Sequence, residues 1–288
     1  MLQYAHRFVA PSRILLLALP RILVPGVINP QWRVDMNAET CTKSGTETFR
    51  AGAPMPFKSE LPSDLRERVE EFSQTNNLLD LYMRYSWNGD TWKAGFPKIR
   101  ELELRLSNSD RSYGITLKDV KAVVEWSMDC PGKVTCHSDI VMPANVLQNK
   151  EGRAEPKLED DPTCPMLKFD GSLRGAGPTY RTKVLRFALP REYGAIDTCC
   201  VRAFGREGRG WLDLKNVQGG HGPRIYTNKT CWPSQYGVWI NILRHLAGTL
   251  PAKCKHPQQF LNAGIRRSGV WECADVEMAL FWFAYTAQ

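Results

Sequence analysis

Apolar residues recur along much of the chain at intervals of three to four positions, which is the spacing of amphipathic helices. Between residues 63 and 105 the apolar residues at this spacing are Leu65, Val69, Phe72, Leu78, Leu81 and Tyr82. The same spacing predicts further helices over residues 117–128, 184–189, 236–250 and 274–285. No convincing run of alternating apolar and polar residues, the pattern of a half-buried strand, accompanies them. The pattern therefore predicts an all-α fold.

Local signals indicate where some of these helices begin. Thr116 and Asp119 form a variant of the capping box at the start of the second predicted region. Asp275 and Glu277 suit the first turn of the last helix because carboxylates are favoured at a helix N-terminus. Apolar stripes on these helices are expected to be core. The polar, proline-interrupted stretch 143–165 is expected to be a connecting loop.

Composition supports a folded, reduced protein. With 288 residues, 43% of them apolar, the chain can build a core, and disordered, collagen-like and disulfide-miniprotein classes are excluded. Nine cysteines without a Cys-x-x-Cys pair indicate an intracellular location, in a nucleus or organelle if the source is eukaryotic and otherwise in the cytoplasm. The spacing of Cys231, Cys254, His256 and Cys273 matches no usual zinc pattern, so structural or surface thiols are favoured.

The N-terminal residues 1–34 are basic, free of acidic residues and partly apolar. Their apolar run is interrupted by arginine and proline and is too short to span a bilayer. The segment could be an organelle transit peptide, with the mitochondrion as a candidate destination, or the result of a start codon chosen too early. In the second case Met36 is the true start. The fold prediction therefore applies to residues 35–288.

The net charge of +8 is concentrated in two segments. Residues 1–34 contain four arginines and no acid, and residues 171–210 contain eight basic residues against three acidic ones. The rest of the chain is close to neutral. Such an excess suits phosphate or another anionic partner, although a solvated helix face needs no ligand. Residues 171–210 are the candidate contact with such a partner.

Two glycines in this segment precede a predicted helix start. Gly175 and Gly177 allow a tight turn and a close approach of a ligand to the backbone, and Pro178 suits the first helical position. The amides of Gly177, Thr179 and Tyr180 would then point outward from a helix N-terminus, where phosphate binds well. The turn is a candidate phosphate site, although a plain helix start would explain the same residues.

The sequence from Leu173 to Thr198 resembles the helix-hairpin-helix motif of the DNA glycosylases typified by endonuclease III. In that family a Leu-Pro-Gly-Val-Gly turn leads to a lysine, and an aspartate follows eighteen residues later. Here the lysine position falls on Thr179, and the eighteenth residue after it is Asp197. The resemblance is specific over roughly residues 167–206 and only compositional elsewhere.

The resemblance implies a two-lobed, all-α fold over residues 35–288, with the active site between the lobes. Double-stranded DNA would be clamped by the hairpin, and the target base would be rotated out of the duplex. The implied DNA contacts are Gly175, Gly177, Thr179, Tyr180, Arg181 and Lys183. A structural monovalent cation, K⁺ or Na⁺, would bind the backbone carbonyls of Gly171, Leu173 and Ala176.

Asp197 is the catalytic residue that the resemblance implies. It would assist the attack of water or stabilise the positive charge that develops at the sugar carbon. Thr179 cannot form the Schiff base of strand cleavage, so the glycosylase would be monofunctional. Lys183, one turn further along the same helix face, could substitute for the lysine in space. Asp197 also fits a helix N-cap, a role that needs no catalysis.

Other parts of the sequence depart from the family. Pro162 and Pro165 interrupt the first helix of the hairpin. No four-cysteine signature follows the motif, so no iron–sulfur cluster is expected and no cofactor is required. Aromatic residues that could stack on an extruded base, or simply pack in the core, are Trp211, Tyr226, Trp232, Tyr236 and Trp239.

Two functions are therefore expected. The first is a monofunctional DNA N-glycosylase of base-excision repair, a monomer without membrane association. The second is a non-catalytic nucleic-acid-binding or structural protein of the same fold, in which Asp197 is only a cap. Loss of base release on Asp197→Asn substitution would distinguish the first function from the second.

Overall fold

A computed structural model describes residues 61–107, 114–127, 131–143, 158, 161–220, 222–228 and 230–287. Over these residues the chain is mainly helical, which confirms the main prediction from the hydrophobic pattern. The basic segment 1–34 and most of the predicted loop at 143–165 lie outside the described residues.

The helices of the described residues follow one another along the chain. They are α1 (Ser63–Thr75), α2 (Leu78–Arg84), α3 (Pro97–Leu106), α4 (Leu117–Trp126), α5 (Cys164–Ser172), α6 (Pro178–Ala188), α7 (Thr198–Phe204), α8 (Ser234–Thr249), α9 (Gln258–Asn262) and α10 (Cys273–Thr286). A 3-10 turn covers Pro131–Lys133.

The strands of the described residues are two to four residues long and pair antiparallel in twos. They are β1 (Ser86–Trp87) with β2 (Asp90–Thr91), β3 (Ile115–Thr116) with β5 (Ile140–Met142), β4 (Thr135–Cys136) with β6 (Leu173–Arg174), and β7 (Asn216–Gly219) with β8 (Gly222–Ile225). Strands this short have no hydrophobic periodicity to detect, so the sequence did not predict them.

The predicted helices correspond to elements of the structure. The regions predicted at 117–128, 236–250 and 274–285 are α4, α8 and α10, and the region at 184–189 is the second half of the longer helix α6. Both hydrogen bonds of the capping box between Thr116 and Asp119 are present at the start of α4. None of the described helices is long and apolar enough to cross a lipid bilayer.

Helix α10 lies at the centre of the described core. Every residue from Cys273 to Phe281 is buried, as expected for a helix that is apolar on nearly all faces. It packs against α2, α7 and α8, whereas α6 packs against α3, α4 and α5. The start of α7 and the middle of α6 thereby approach the buried face of α10, and the candidate site forms between them.

Candidate functional site

Helices α5 and α6 are joined by a tight turn of five residues, 173–177. Pro165 lies in the first turn of α5, and Pro178 is the first residue of α6. At these positions the missing amide hydrogen removes no helical hydrogen bond. The expected interruption of the first helix is therefore wrong, because Pro162 precedes the helix and Pro165 lies in its first turn. The structure thus has two helices joined by a tight turn at the position of the motif.

The two glycines of the turn have different roles. Gly175 has φ of +76°, and an added Cβ would collide with the carbonyl oxygen of Lys133, so this position requires glycine. Gly177 is the N-cap of α6 with ordinary φ, and an added Cβ would meet nothing within 4 Å. Gly175 therefore closes the turn, while Gly177 leaves the start of the helix open to a ligand.

The amides at the start of α6 are only partly available to an anion. The amide of Tyr180 donates to the carbonyl of Gly177 at 3.1 Å, so the predicted outward-pointing amide at Tyr180 is not found. For the amides of Gly177 and Thr179 the described residues supply no hydrogen-bond acceptor. These two amides are the candidate phosphate donors of the turn.

Arg181 turns back onto the hairpin instead of extending from it. Its Nε donates to the carbonyl of Ala176 at 2.8 Å, and its Nη2 donates to the carbonyl of Leu173 at 3.0 Å. These are two of the three carbonyls, with that of Gly171, that were expected to hold a monovalent cation. Because donors already occupy them, this arrangement does not fit a bound K⁺ or Na⁺.

Much of the positive charge of residues 171–210 is directed into the protein. Arg181 contacts backbone carbonyls, and Arg186, only 2% exposed, pairs with a glutamate. Lys183 lines a pocket, and Arg206 is paired with an aspartate at the surface. Arg181, Lys183 and Arg186 are therefore turned inward, whereas Arg174, Arg202, Arg206 and Arg209 are exposed, so the local excess is divided between the interior and the surface.

Lys183, Asp197 and Glu277 line one pocket. The other residues that line it are Tyr85, Trp87, Trp126, Arg186, Ala195 and Phe281. Its free volume is about 20 Å³, enough for roughly one water molecule. Thr179, the residue at the lysine position of the motif, is not part of this lining. Helix α6 thus brings Lys183, and not Thr179, to Asp197.

The ammonium group of Lys183 is held between two indole rings. Its Nζ lies 5.8 Å from the ring centre of Trp87 and 5.3 Å from that of Trp126, and it donates to Ser127 Oγ at 3.2 Å. Burial lowers the pKa of Lys183, although nearby carboxylates, Asp197 foremost, oppose this effect. A lysine with a lowered pKa carries more of the neutral amine, which is the nucleophilic form.

Asp197 ends an extended segment between α6 and α7, and side chains of α8 hold that segment in place. Tyr236 Oη donates to the carbonyl of Gly194 at 3.1 Å, and Trp239 Nε1 donates to the carbonyl of Ala195 at 2.8 Å. Both aromatic side chains are fully buried. The position of Asp197 is therefore fixed by the core and not by a free loop.

The carboxylate of Asp197 caps helix α7 and also lines the pocket. Its Oδ1 accepts a hydrogen bond from the amide of Cys200 at 2.9 Å, which confirms the N-cap role. Its Oδ2 has no hydrogen-bond partner among the described residues. One oxygen therefore serves the helix, and the other is available to a ligand in the pocket.

Glu277 is attached to a chain of buried charges, which we call the buried ion chain. Its carboxylate lies 3.5 Å from Arg186 Nε, and Arg186 Nη1 lies 2.8 Å from Glu103 Oε1, at an angle too bent for a hydrogen bond. Glu103 pairs with Arg266 at 2.6 Å, and Arg266 pairs with Asp275 at 2.9 Å. Burial raises the pKa of Glu277 to about 7.

The two tryptophans of the pocket are placed by a small hairpin and by the end of α4. Trp126 Nε1 donates to Asp90 Oδ2 at 2.8 Å, and Asn88 Nδ2 donates to the carbonyl of Trp126 at 3.3 Å. Trp87, on β1, meets the ring of Phe281 edge to face at 5.7 Å. The hairpin β1–β2 thereby forms one wall of the pocket, and its hydrogen bonds to Trp126 join it to α4, which forms another wall.

Three of the pocket residues, Trp87, Trp126 and Glu277, were not selected from the sequence. The aromatic candidates named there serve other purposes: Tyr236 and Trp239, for example, support the segment that carries Asp197. The expected place of Glu277 in the first turn of its helix is wrong, because α10 starts at Cys273 and its first turn contains Asp275 alone of the two. The signal that could have found it is a carboxylate inside a continuous apolar helix, since such a group is seldom buried without a partner.

A second cluster, Cys254, His256 and Asp275, has side-chain atoms of metal-ligand type within 4.8 Å of one another. His256 Nε2 lies 2.8 Å from the carbonyl of Val270, and Asp275 is paired with Arg266. Burial raises the pKa of the Cys254 thiol, so the neutral form is favoured over the thiolate that binds metals. Hydrogen bonds account for this cluster.

Compared with known protein families, with characterised proteins and with solved structures, the chain has no match. The functional interpretation therefore depends on the geometry of the turn and the pocket.

Proposed function

We propose that this protein is a DNA N-glycosylase of the helix-hairpin-helix type, with two helical lobes, that removes a base rotated out of the duplex. The observation that supports this most is that Lys183 and Asp197 line one aromatic pocket, on elements that follow the α5–α6 turn. An amine, carboxylates and aromatic rings in one pocket can stack on a base and act on the charge at its sugar.

Asp197 acts on the charge that forms during base release. Breaking the bond between the sugar carbon C1′ and the base leaves positive charge on the sugar, which a carboxylate stabilises. Glu277, with a pKa of about 7, is protonated in part at neutral pH and can give a proton to the departing base. The two carboxyl groups thus have different roles: Glu277 gives the proton, and Asp197 stabilises the charge on the sugar.

The position of Lys183 favours a second route for base release in the same pocket, in which its amine replaces water as the nucleophile. Its neutral amine attacks C1′, the bond from C1′ to the base breaks, and the base leaves with a proton. The sugar ring then opens as the ring oxygen takes a proton, which leaves an imine between C1′ and Nζ. The expectation of a monofunctional enzyme depended on Thr179, a position that the pocket does not use, so the proposal includes Schiff-base chemistry.

Entry of a base requires the pocket to open. The free volume holds about one water molecule, and Trp87 and Trp126 both lie against Lys183. A flipped base would separate the two indoles and replace their contact with the ammonium group by stacking. Outside the pocket, the amides of Gly177 and Thr179 at the start of α6 would bind a backbone phosphate.

Base release from duplexes that carry a panel of damaged or mismatched bases tests this function. We expect wild type to release at least one base, and Asp197→Asn to lower the rate about 10²–10³-fold. Asparagine still caps α7, so the fold is retained while the charge is lost. Asp213→Asn, at an exposed aspartate, is the matched control and leaves the rate unchanged.

Two results would contradict the proposal. Base release at the normal rate by Asp197→Asn would leave that residue as a cap only. No release by wild type over the panel, with duplex binding intact, would favour the non-catalytic nucleic-acid-binding protein. Absence of duplex binding would contradict both functions.

A further inference from the structure

The α5–α6 turn holds a cation of its own. The guanidinium of Arg181 bridges the carbonyls of Leu173 and Ala176, with donor–acceptor distances of 3.0 and 2.8 Å. These two residues are only 2% and 3% exposed, so water has little access to them. Burial lowers the pKa of Arg181, but a guanidinium remains charged at neutral pH.

The path of the turn explains why two carbonyls meet a positive group here. Leu173 is the C-cap of α5, where the helix dipole places negative partial charge. Gly175, with φ of +76°, reverses the chain, and the carbonyl of Ala176 on the far side comes to the same guanidinium. A buried carbonyl without a partner is unfavourable, so a cation at this point stabilises the closed turn.

We propose that Arg181 is the built-in cation of the hairpin and takes the place that a free monovalent metal ion would otherwise fill at these carbonyls. Arg181 is then a positioning residue: it holds the turn so that the amides of Gly177 and Thr179 are presented to a phosphate. The DNA-binding part of this inference rests on the proposed function, whereas the cation itself does not. The stability of the hairpin should therefore not depend on which monovalent cation is in solution.

Removal of the guanidinium should make the turn dependent on a cation. Arg181→Ala leaves the carbonyls of Leu173 and Ala176 without their partner and leaves space beside them, and oxygen ligands of this kind suit a hard metal ion. Arg181→Met also removes the charge but fills much of the same space with an apolar chain. The alanine variant should accept K⁺ or Na⁺ as a replacement, and the methionine variant should not.

Thermal unfolding without DNA tests the inference at one ionic strength, with K⁺, Na⁺ or tetramethylammonium as the monovalent cation. We expect wild-type Tm to be the same in all three. Arg181→Ala should unfold about 3 °C or more higher in K⁺ or Na⁺ than in tetramethylammonium. Arg181→Met should be less stable than wild type in all three, without a difference between cations. A merely structural role would lower the Tm of both variants equally in every salt.

Two outcomes would overturn the inference. One is a wild-type Tm that rises in K⁺ or Na⁺ over tetramethylammonium, which would show that a free ion still binds. The other is an Arg181→Ala variant with no cation dependence. If that variant does not fold in any of the salts, the wild-type comparison alone still decides between a built-in and a bound cation.

Duplex affinity is a second readout, which tests whether the cation in the turn affects DNA binding. Duplex affinity of wild type should not change when K⁺ replaces tetramethylammonium, while Arg181→Ala should lose affinity about tenfold in tetramethylammonium and regain it in K⁺. The unfolding experiment contains no DNA, so its result stands even if no base release is found. Conversely, active base release together with a cation-sensitive wild type would reject the built-in cation and leave the proposed function intact.

Discussion

Helix α6 carries two cations, two residues apart, in very different surroundings. Arg181, at the hairpin turn, directs its donors at the fixed carbonyls of Leu173 and Ala176. Lys183, in the pocket, contacts two indole rings and one hydroxyl, and none of the ion pairs among the described residues includes it. The charge of Arg181 is compensated by the two carbonyl oxygens, and it stabilises the turn. The charge of Lys183 is desolvated without such compensation, which is the state of a group available for chemistry.

The buried ion chain behind the pocket extends this comparison. There, Arg266 is fully buried and bonded on every side, to Glu103 at 2.6 Å and to Asp275 at 2.9 Å. Like the charge of Arg181, the charge of Arg266 is compensated by bonded partners, but it lies deeper in the core. If the distinction between compensated and uncompensated cations is correct, removal of Arg266 should affect stability far more than removal of Lys183.

The largest expected effect is on stability, from Arg266→Met. The substitution leaves the buried carboxylate of Asp275 without its charged partner and removes one of the two arginines beside Glu103, so we expect the free energy of unfolding to fall by about 3–5 kcal/mol. Urea denaturation measures it. Arg84→Met, which breaks an exposed pair with Asp80, is the control and should change little. Equal effects of the two substitutions would contradict the role of the ion chain.

The next effect is the pH dependence contributed by Glu277. Its pKa is raised from 4.5 to about 7 in the folded state, so the folded protein holds a proton that the unfolded chain loses. The stability contributed by that proton is fully present below pH 4.5 and is lost as the pH rises through 7. The loss is about 3 kcal/mol.

Glu277→Gln should remove this loss, so the variant gains about 3 kcal/mol relative to wild type between pH 4.5 and pH 8. Urea denaturation at both pH values gives the difference. Leu104→Gln, at an exposed position on α3, serves as the control and should not alter the pH dependence. A gap between wild type and Glu277→Gln that is constant with pH would show that folding does not raise the pKa of Glu277.

The smallest effect is expected for the stability of Lys183→Met. Methionine keeps the apolar stem between Trp87 and Trp126 and removes a desolvated charge that lacks an ion pair. We expect the free energy of unfolding to change by less than about 1 kcal/mol, because the lost ring contacts and the removed desolvation offset each other. A loss as large as that of Arg266→Met would mean that Lys183 is a structural charge, and the comparison would fail.

Much of the fold could be predicted because its signals are local. Helix periodicity placed α4, α8 and α10, the capping box placed the start of α4, and Asp197 was identified both as an N-cap and as a candidate site residue. Each of these depends on residues within a few positions of one another. The two glycines of the turn belong to the same class, since Gly175 is required by the local path of the chain.

The rest of the site depends on contacts between distant segments. Trp87, Trp126 and Glu277 come from β1, α4 and α10, and only the packing of these elements brings them to Lys183. The charge of residues 171–210 shows the same difficulty. The number of charges can be read from the sequence, but the sequence does not show that Arg186 pairs with Glu103 inside the protein.

The most direct test of the account is borohydride reduction of the protein mixed with a duplex that contains an abasic site. The aldehyde of that site condenses with an amine, and reduction makes the bond permanent, so no knowledge of the lesion is needed. We predict a covalent adduct that peptide mapping places on Lys183, is lost in Lys183→Met and persists in the exposed control Lys98→Met. An adduct mapped to another amine, or no adduct with wild type, would contradict the central claim.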